Sequence, residues 1–158
     1  MVPEIDRIYG NRVRVRACGI CWDGDSVLVV NHRGLTDGDF WAPPGGGVEF
    51  GSTVPETIER EFREETGLEV KTGRHMCVFE YVNMPLHAVE LFFEVERTGG
   101  TLRTGIDPEL PADRQILADV RFMSFDELKA VRAAEKHGLF RIFSTPEKLR
   151  TASGYWKI

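Results

Sequence analysis

Residues 12–22 alternate strictly at their start, with Val13, Val15 and Ala17 facing one way and Arg12, Arg14 and Arg16 the other, a period of two that predicts a strand. A DGD turn at 23–25 leads into SVLVVNH, a second apolar strand, so the two segments predict a hairpin. A polar connection, RGLTDGD, and a glycine cluster follow, and then the period changes. Val54, Ile58 and Phe62 recur at helical spacing. Thr53 and Glu56 fit a T-x-x-E capping box, Pro55 falls in the first turn where its missing N–H costs little, and Gly67 supplies a stop, so a helix is predicted over 54–66. EVKTGRHMCVFEYVN and HAVELFFEVE predict two strands around a loop that holds Pro85. Residues 97–115, rich in Gly, Pro and Asp, predict a long loop. ADVRFMS reads as a short strand, FDELKAVRAAE as an amphipathic helix, and FSTPEKLRTASGYWKI as an irregular or short helical tail. Strands around a central helix, with another helix near the end, predict an α/β layer fold. A chain of 158 residues is the size of one domain, expected to span 1–158.

Composition narrows the function. Apolar residues make up 42% and charged residues 28%, which suits a soluble globular domain. The longest apolar runs are strand-length, and the first residues lack the apolar core of a signal peptide, so a cytoplasmic protein without membrane contact is expected. The net charge of −5 argues against a nucleic-acid surface, which is built from basic residues. Cys18 and Cys21 form a C-x-x-C, but there is no second pair to complete a metal site, and residues three apart on a strand point to opposite faces.

The segment PPGGGVEFGSTVPETIEREFREETGL, residues 43–68, holds six glutamates beside a glycine cluster. At 100° per residue, Glu61, Glu64 and Glu65 fall within an arc of about 100° on one helix face. Two readings fit this face. It can be a solvated acidic surface, tempered by the i,i+4 pairs Glu56 with Arg60 and Glu59 with Arg63. Alternatively it binds a divalent cation, because clustered carboxylates raise one another's pKa unless positive charge lies among them. Hard oxygen ligands favour Mg²⁺, with Mn²⁺ possible, over zinc. The glycines would let backbone approach a ligand closely, and a plain strand-to-helix linker would account for them equally.

The run GGVEFGSTVPETIEREFREETGL, Gly46 to Leu68, resembles the Nudix box: G, five residues, E, seven residues, then R-E-U-x-E-E-x-G-U with U a bulky aliphatic residue. Gly46, Arg60, Glu61, Glu64, Glu65, Gly67 and Leu68 fit, and Phe62 fits loosely. The flanking pattern extends the resemblance to about residues 12–135. It implies an α/β/α sandwich of the Nudix type, with a mixed sheet and the box helix packed on it. The implied activity is a metal-dependent hydrolase of nucleoside diphosphates linked to another group, and family members are often homodimers. By position, Glu61, Glu64 and Glu65 would bind Mg²⁺ or Mn²⁺, the backbone carbonyl of Gly45 would complete the coordination, and Arg60 would be the box arginine. The general base would be a box glutamate or a carboxylate of the long loop, where Asp107, Glu109 and Asp113 lie. Ser52 departs from the pattern: the family carries there a glutamate that pairs with the arginine, so Arg60 would turn to Glu56 or to Glu49, and the site would be weakened. Candidates for binding the substrate are Arg33 and Arg16 (or Arg14) for phosphate, Gly46 for close approach, and Trp41 or Phe40 for stacking on a base. Pro85, 17 residues beyond the box, is near where ADP-ribose-cleaving members carry a proline, which favours ADP-ribose or nucleoside diphosphate sugars. The alternative is a weakened Nudix-fold module that binds a nucleotide without turnover.

Overall fold

The computed structural model describes residues 4–33, 38–105, 112 and 117–158. Along the chain these form α1 (Glu4–Tyr9), β1 (Arg12–Asp23), β2 (Ser26–His32), β3 (Trp41–Ala42), β4 (Gly45–Gly47), α2 (Val54–Thr66), β5 (Leu68–Asn83) and β6 (Leu86–Gly100). Then follow β7 (Leu117–Met123), α3 (Phe125–Ala130), α4 (Leu139–Ile142), α5 (Pro146–Arg150) and β8 (Tyr155–Lys157). The strands make one mixed sheet in the order β3-β2-β1-β6-β5-β8, with β4 on β1 and β7 on β2. The hairpin turns where the DGD signal lies, with Trp22 opposite Val27, and β1 then runs parallel to β6 over ten residue pairs.

The period-two pattern decides the layers. In β2, Leu28 and Val30 enter an apolar cluster with Ile58 and Phe62 of α2, while Val27 and Val29 join the opposite cluster with Phe125, Leu128, Leu139, Phe143 and Leu149. The sheet is therefore covered by α2 on one face and by α3, α4 and α5 on the other. Ile58 and Phe62 are fully buried, each worth about 1.5–3 kcal/mol of apolar burial. Cys18 and Cys21 fall in opposite clusters, and all three cysteines are free and buried. No described helix is long and apolar enough to cross a membrane.

Helix α2 begins and ends where its signals lie. Thr53 accepts from the Glu56 N–H, the Glu56 side chain accepts from the Thr53 N–H, and Gly67 takes the left-handed conformation at the C-cap. Several expectations are corrected. The predicted helix over 125–135 stops at Ala130: Val131 turns extended and packs on the core, and the Lys136 ammonium donates to the Leu128 carbonyl that a longer helix would have used. Strand β6 continues to Gly100 inside the region expected to be loop, paired with Leu68 of β5. The tail contains α5 and the edge strand β8, which pairs parallel to β5. On β1 the apolar face is not all core: Ala17 is buried beneath α2, but Val13 and Val15 lie outside that cluster and stay 58% and 44% exposed. The arginine face of the same strand turns instead into a cleft.

Candidate active site

The cleft encloses about 650 Å³ between the glycine strand β4, the exposed half of β1 and β6, and the segment 133–141. Glu61 and Glu65 reach it from α2, Arg14 and Arg16 from β1, and Glu90 from β6. Strand β4 is held antiparallel to β1, with Ala17 opposite Gly46. Gly19 N–H donates to the Pro44 carbonyl and Val48 N–H to the Val15 carbonyl. Backbone groups on an antiparallel strand alternate in direction, so the carbonyls of Gly45 and Gly47 point away from β1. The Gly47 carbonyl accordingly lies 3.5 Å from Arg60 Nη2. A Cβ on Gly46 would overlap the Glu61 carboxylate, so only glycine lets the helix lay this side chain on the strand.

The three helix carboxylates differ in environment. Glu65 is buried, and its Oε2 has no hydrogen-bond partner. Burial first and the Glu61 charge second hold its carboxyl well above the ordinary range, against a lowering by Arg16 and by a backbone bond from Gly45. Burial likewise pushes Glu61 up to about 7, opposed by the Arg60 hydrogen bond and reinforced by the Glu64 charge. Arg60 sits between two of the carboxylates, 3.2 Å from Glu61 and 3.9 Å from Glu64, with Glu49 at 3.5 Å. Among the described residues, no three acidic, His or Cys side chains are gathered around a single point in this arrangement.

Of the i,i+4 pairs open to the helix, Arg60 with Glu64 is made at 3.9 Å, while Glu56 with Arg60 and Glu59 with Arg63 are not. Glu56 is turned back to cap the N-terminus, and Arg63 reaches Glu69 at 3.7 Å. Of the two partners considered for Arg60 in place of a glutamate at position 52, the structure provides Glu49 across the loop; Ser52 N–H donates to the Glu49 carbonyl.

The proposed substrate residues separate into two groups. Arg16 and Gly46 line the cleft, as do Gly45 and Phe40. Trp41 does not: it is 5% exposed, belongs to the core, and has the Arg121 guanidinium 4.6 Å from its ring centre, so no face is left for a base. Arg33 is also outside the cleft lining, with its side chain 68% exposed and paired with Asp39 at 3.2 Å. Asp107, Glu109 and Asp113 lie outside the described residues.

One part of the site had no sequence signal. Glu90, 74 residues from Arg16 and 47 from His137, is buried on the cleft floor between them. Arg16 Nη1 donates to Glu90 Oε2 at 2.6 Å, the Cys18 thiol lies 3.9 Å from the same oxygen, and His137 Nε2 meets Oε1 at 2.7 Å. Leu139 N–H donates to His137 Nδ1, so the ring proton is on Nε2 and is donated to Glu90. Burial alone would raise the Glu90 carboxyl; His137 and Arg16 outweigh it and draw it down to about 2. The cleft lining also includes the aromatic side chains of Tyr9, Phe40 and Tyr81, with Arg14 stacked on Tyr9 at 4.1 Å.

Residues 10–142 match the NUDIX domain family. The chain is 29% identical over 116 residues to an ADP-ribose pyrophosphatase of Methanocaldococcus jannaschii, an alignment covering 72% of this chain and 68% of that protein. It is 34% identical over 65 residues to a dihydroneopterin triphosphate diphosphatase of Escherichia coli K12, covering 41% of this chain and 42% of that one. Among solved structures, a Nudix hydrolase from Nitrosomonas europaea superposes with a TM-score of 0.67 at 16% identity, covering 80% of this chain and 81% of the other. A UDP-X diphosphatase superposes with a TM-score of 0.65 at 22% identity, covering 92% and 67%. At such identities the structural matches speak for the fold alone.

Proposed function

This chain belongs to the Nudix hydrolase family and is a pyrophosphohydrolase, and from that premise we propose that it cleaves the pyrophosphate bond of a nucleoside diphosphate linked to another group, with ADP-ribose or a nucleoside diphosphate sugar as substrate and Mg²⁺ or Mn²⁺ as cofactor. The observation that carries the metal reading is Glu65 Oε2, a buried carboxylate oxygen without a partner, beside a second carboxyl pushed up to about 7 and a strand whose Gly45 carbonyl points away from its sheet neighbour. Isolated buried charge of this kind is costly unless a cation is shared. All the donors are hard oxygens, which fits Mg²⁺ or Mn²⁺. Glu61, Glu65, Glu64 and the Gly45 carbonyl would hold the cation, Glu64 being released by Arg60. A cation held there would supply neutralisation of the phosphate charge and a lowered pKa for the attacking water.

The remaining work falls to side chains of the cleft. Arg16, with Nη1 committed to Glu90, offers its other N–H groups to the diphosphate, and Arg guanidinium is well shaped for phosphate oxygens. Gly46 lets the diphosphate approach the backbone. Phe40, Tyr9 and Tyr81 supply aromatic surface for a base, in place of Trp41. A helix carboxylate, or one of Asp107, Glu109 and Asp113, takes the proton of the attacking water. The identity to an ADP-ribose pyrophosphatase supports the substrate preference.

The test is release of nucleoside monophosphate from ADP-ribose, nucleoside diphosphate sugars, dinucleoside polyphosphates and nucleoside triphosphates, each with Mg²⁺, Mn²⁺ or EDTA. Turnover of the first two classes, abolished by EDTA, is expected. Turnover in EDTA, or of triphosphates alone, would refute the reading. Metal binding without turnover of any substrate would replace it with a nucleotide-binding module.

A further inference from the structure

We propose that Glu90, braced by His137, is a positioning residue: it keeps the Arg16 guanidinium paired with itself and so leaves Glu65 to the divalent cation. The inference rests on the metal reading above. Arg16, Glu61, Glu65 and Glu90 line one cleft, so the Arg16 guanidinium lies among three carboxylates. A guanidinium has five donors in a planar fork that matches any carboxylate, and nothing in its own chemistry selects among them. The structure selects. Arg16 meets Glu90 at 2.6 Å, and among the described residues it has no ion pair within 4 Å to Glu61 or Glu65, although it stands close enough to both to feel their charge.

Glu90 is suited to hold it. It lies in the middle of β6, flanked by hydrogen-bonded strands on both sides, and its side chain is 5% exposed. His137 occupies its second oxygen, and the Leu139 N–H fixes the imidazole, so Glu90 cannot turn to another partner. His137 has both ring nitrogens engaged in this bracing and presents no lone pair to the cleft. Without the Glu90 charge, the carboxylates left to Arg16 in the cleft are Glu61 and Glu65, the latter carrying the orphaned oxygen. An arginine seated there would occupy the oxygen that the cation needs. Buried ion pairs contribute little net stability, so this one is better accounted for by where it places a charge.

The experiment measures Mn²⁺ binding to the whole protein, as loss of the free-ion paramagnetic resonance signal, for the wild type, Glu65→Gln, Glu90→Gln and the double variant Glu90→Gln/Arg16→Gln. Glu90→Gln should weaken Mn²⁺ about 10–100-fold, the usual effect of losing a supporting partner. The double variant should regain most of that affinity, because the competing guanidinium is gone; a merely structural role for Glu90 would not be rescued by a second deletion. Unchanged Mn²⁺ affinity in Glu90→Gln, or no recovery in the double variant, overturns the proposal while leaving the metal site standing. Wild type that binds no Mn²⁺, or Glu65→Gln that binds as tightly as wild type, overturns the metal reading and this inference with it. Should Glu90→Gln fail to fold, His137→Gln, which frees one Glu90 oxygen and keeps the charges, should show the same loss at smaller size; unaltered affinity there counts against the proposal equally.

Discussion

Glu61→Gln should make the metal-free protein more stable, and increasingly so as pH rises. The Glu61 carboxyl, its side chain only 12% exposed, is raised from an ordinary 4.5 to about 7. A raised carboxyl binds its proton more tightly folded than unfolded. Its favourable contribution is therefore complete below pH 4.5 and is lost as pH climbs through about 7. At about 1.4 kcal/mol per pH unit, that interval is worth about 3 kcal/mol. The bare wild-type profile does not isolate it, because burial and the Arg16 charge push His32 down to about 3, a displacement that adds stability as pH rises toward 6.5. The difference between wild type and Glu61→Gln cancels the His32 contribution. Urea unfolding in EDTA should therefore show the variant gaining on the wild type by about 3 kcal/mol between pH 4.5 and pH 8. In a chain of this size that equals about 6–12 °C in Tm. Relief of Glu65, which the Glu61 charge also pushes up, adds in the same direction. Millimolar Mg²⁺ should then raise the wild-type midpoint at pH 8 and leave the variant unmoved. A stability gap that stays constant across this range would refute the account of Glu61 as a buried carboxyl waiting for a cation.

Gly46→Ala should drive the Glu61 carboxylate off β4 and weaken Mn²⁺ binding and turnover by tenfold or more on the order expected for lost ligand support, read by calorimetry and product release. Thr53→Ala removes one half of the capping box and should cost about 1 kcal/mol in urea unfolding. Ser52→Glu, which supplies Arg60 with the partner the family pattern carries, should tighten Mn²⁺ binding, and an unchanged titration would count against that role for Arg60.

Local chemistry was legible in the sequence, and long-range chemistry was not. The span of α2 was readable because its cap, its proline, its stop and its apolar stripe lie within fifteen residues and reinforce one another. The hairpin was readable for the same reason. The two-residue strand at Trp41–Ala42 and the glycine strand Gly45–Gly47 carry no periodicity, since their pairing comes from β2 and β1 and not from themselves. Trp41 illustrates the limit: an aromatic beside a glycine cluster suits both stacking on a ligand and packing in the core, and the Arg121 guanidinium and the cluster around it decide for packing. Of the two partners open to Arg60, Glu49 is found and Glu56 is not, because the capping box claims Glu56 first. The Arg16–Glu90–His137 network was invisible because parallel pairing of β1 with β6 creates it, and no short stretch records that pairing.

The last turn of α2 carries Glu64 and Glu65, and it does not end freely. Gly67 N–H donates to the Arg63 carbonyl, Arg103 N–H to that of Thr66, and Gly105 N–H to that of Glu65. Gly105 sits so close to the Glu64 carbonyl that any Cβ there would overlap it. Final turns of helices ordinarily open and close faster than their middles, and their amides exchange with solvent accordingly. In this protein two carboxylates are mounted on what is ordinarily the loosest part of a helix, and the segment after β6 fastens that part. Whatever motion accompanies a reaction cycle is thereby kept away from the acidic groups at this end of the helix.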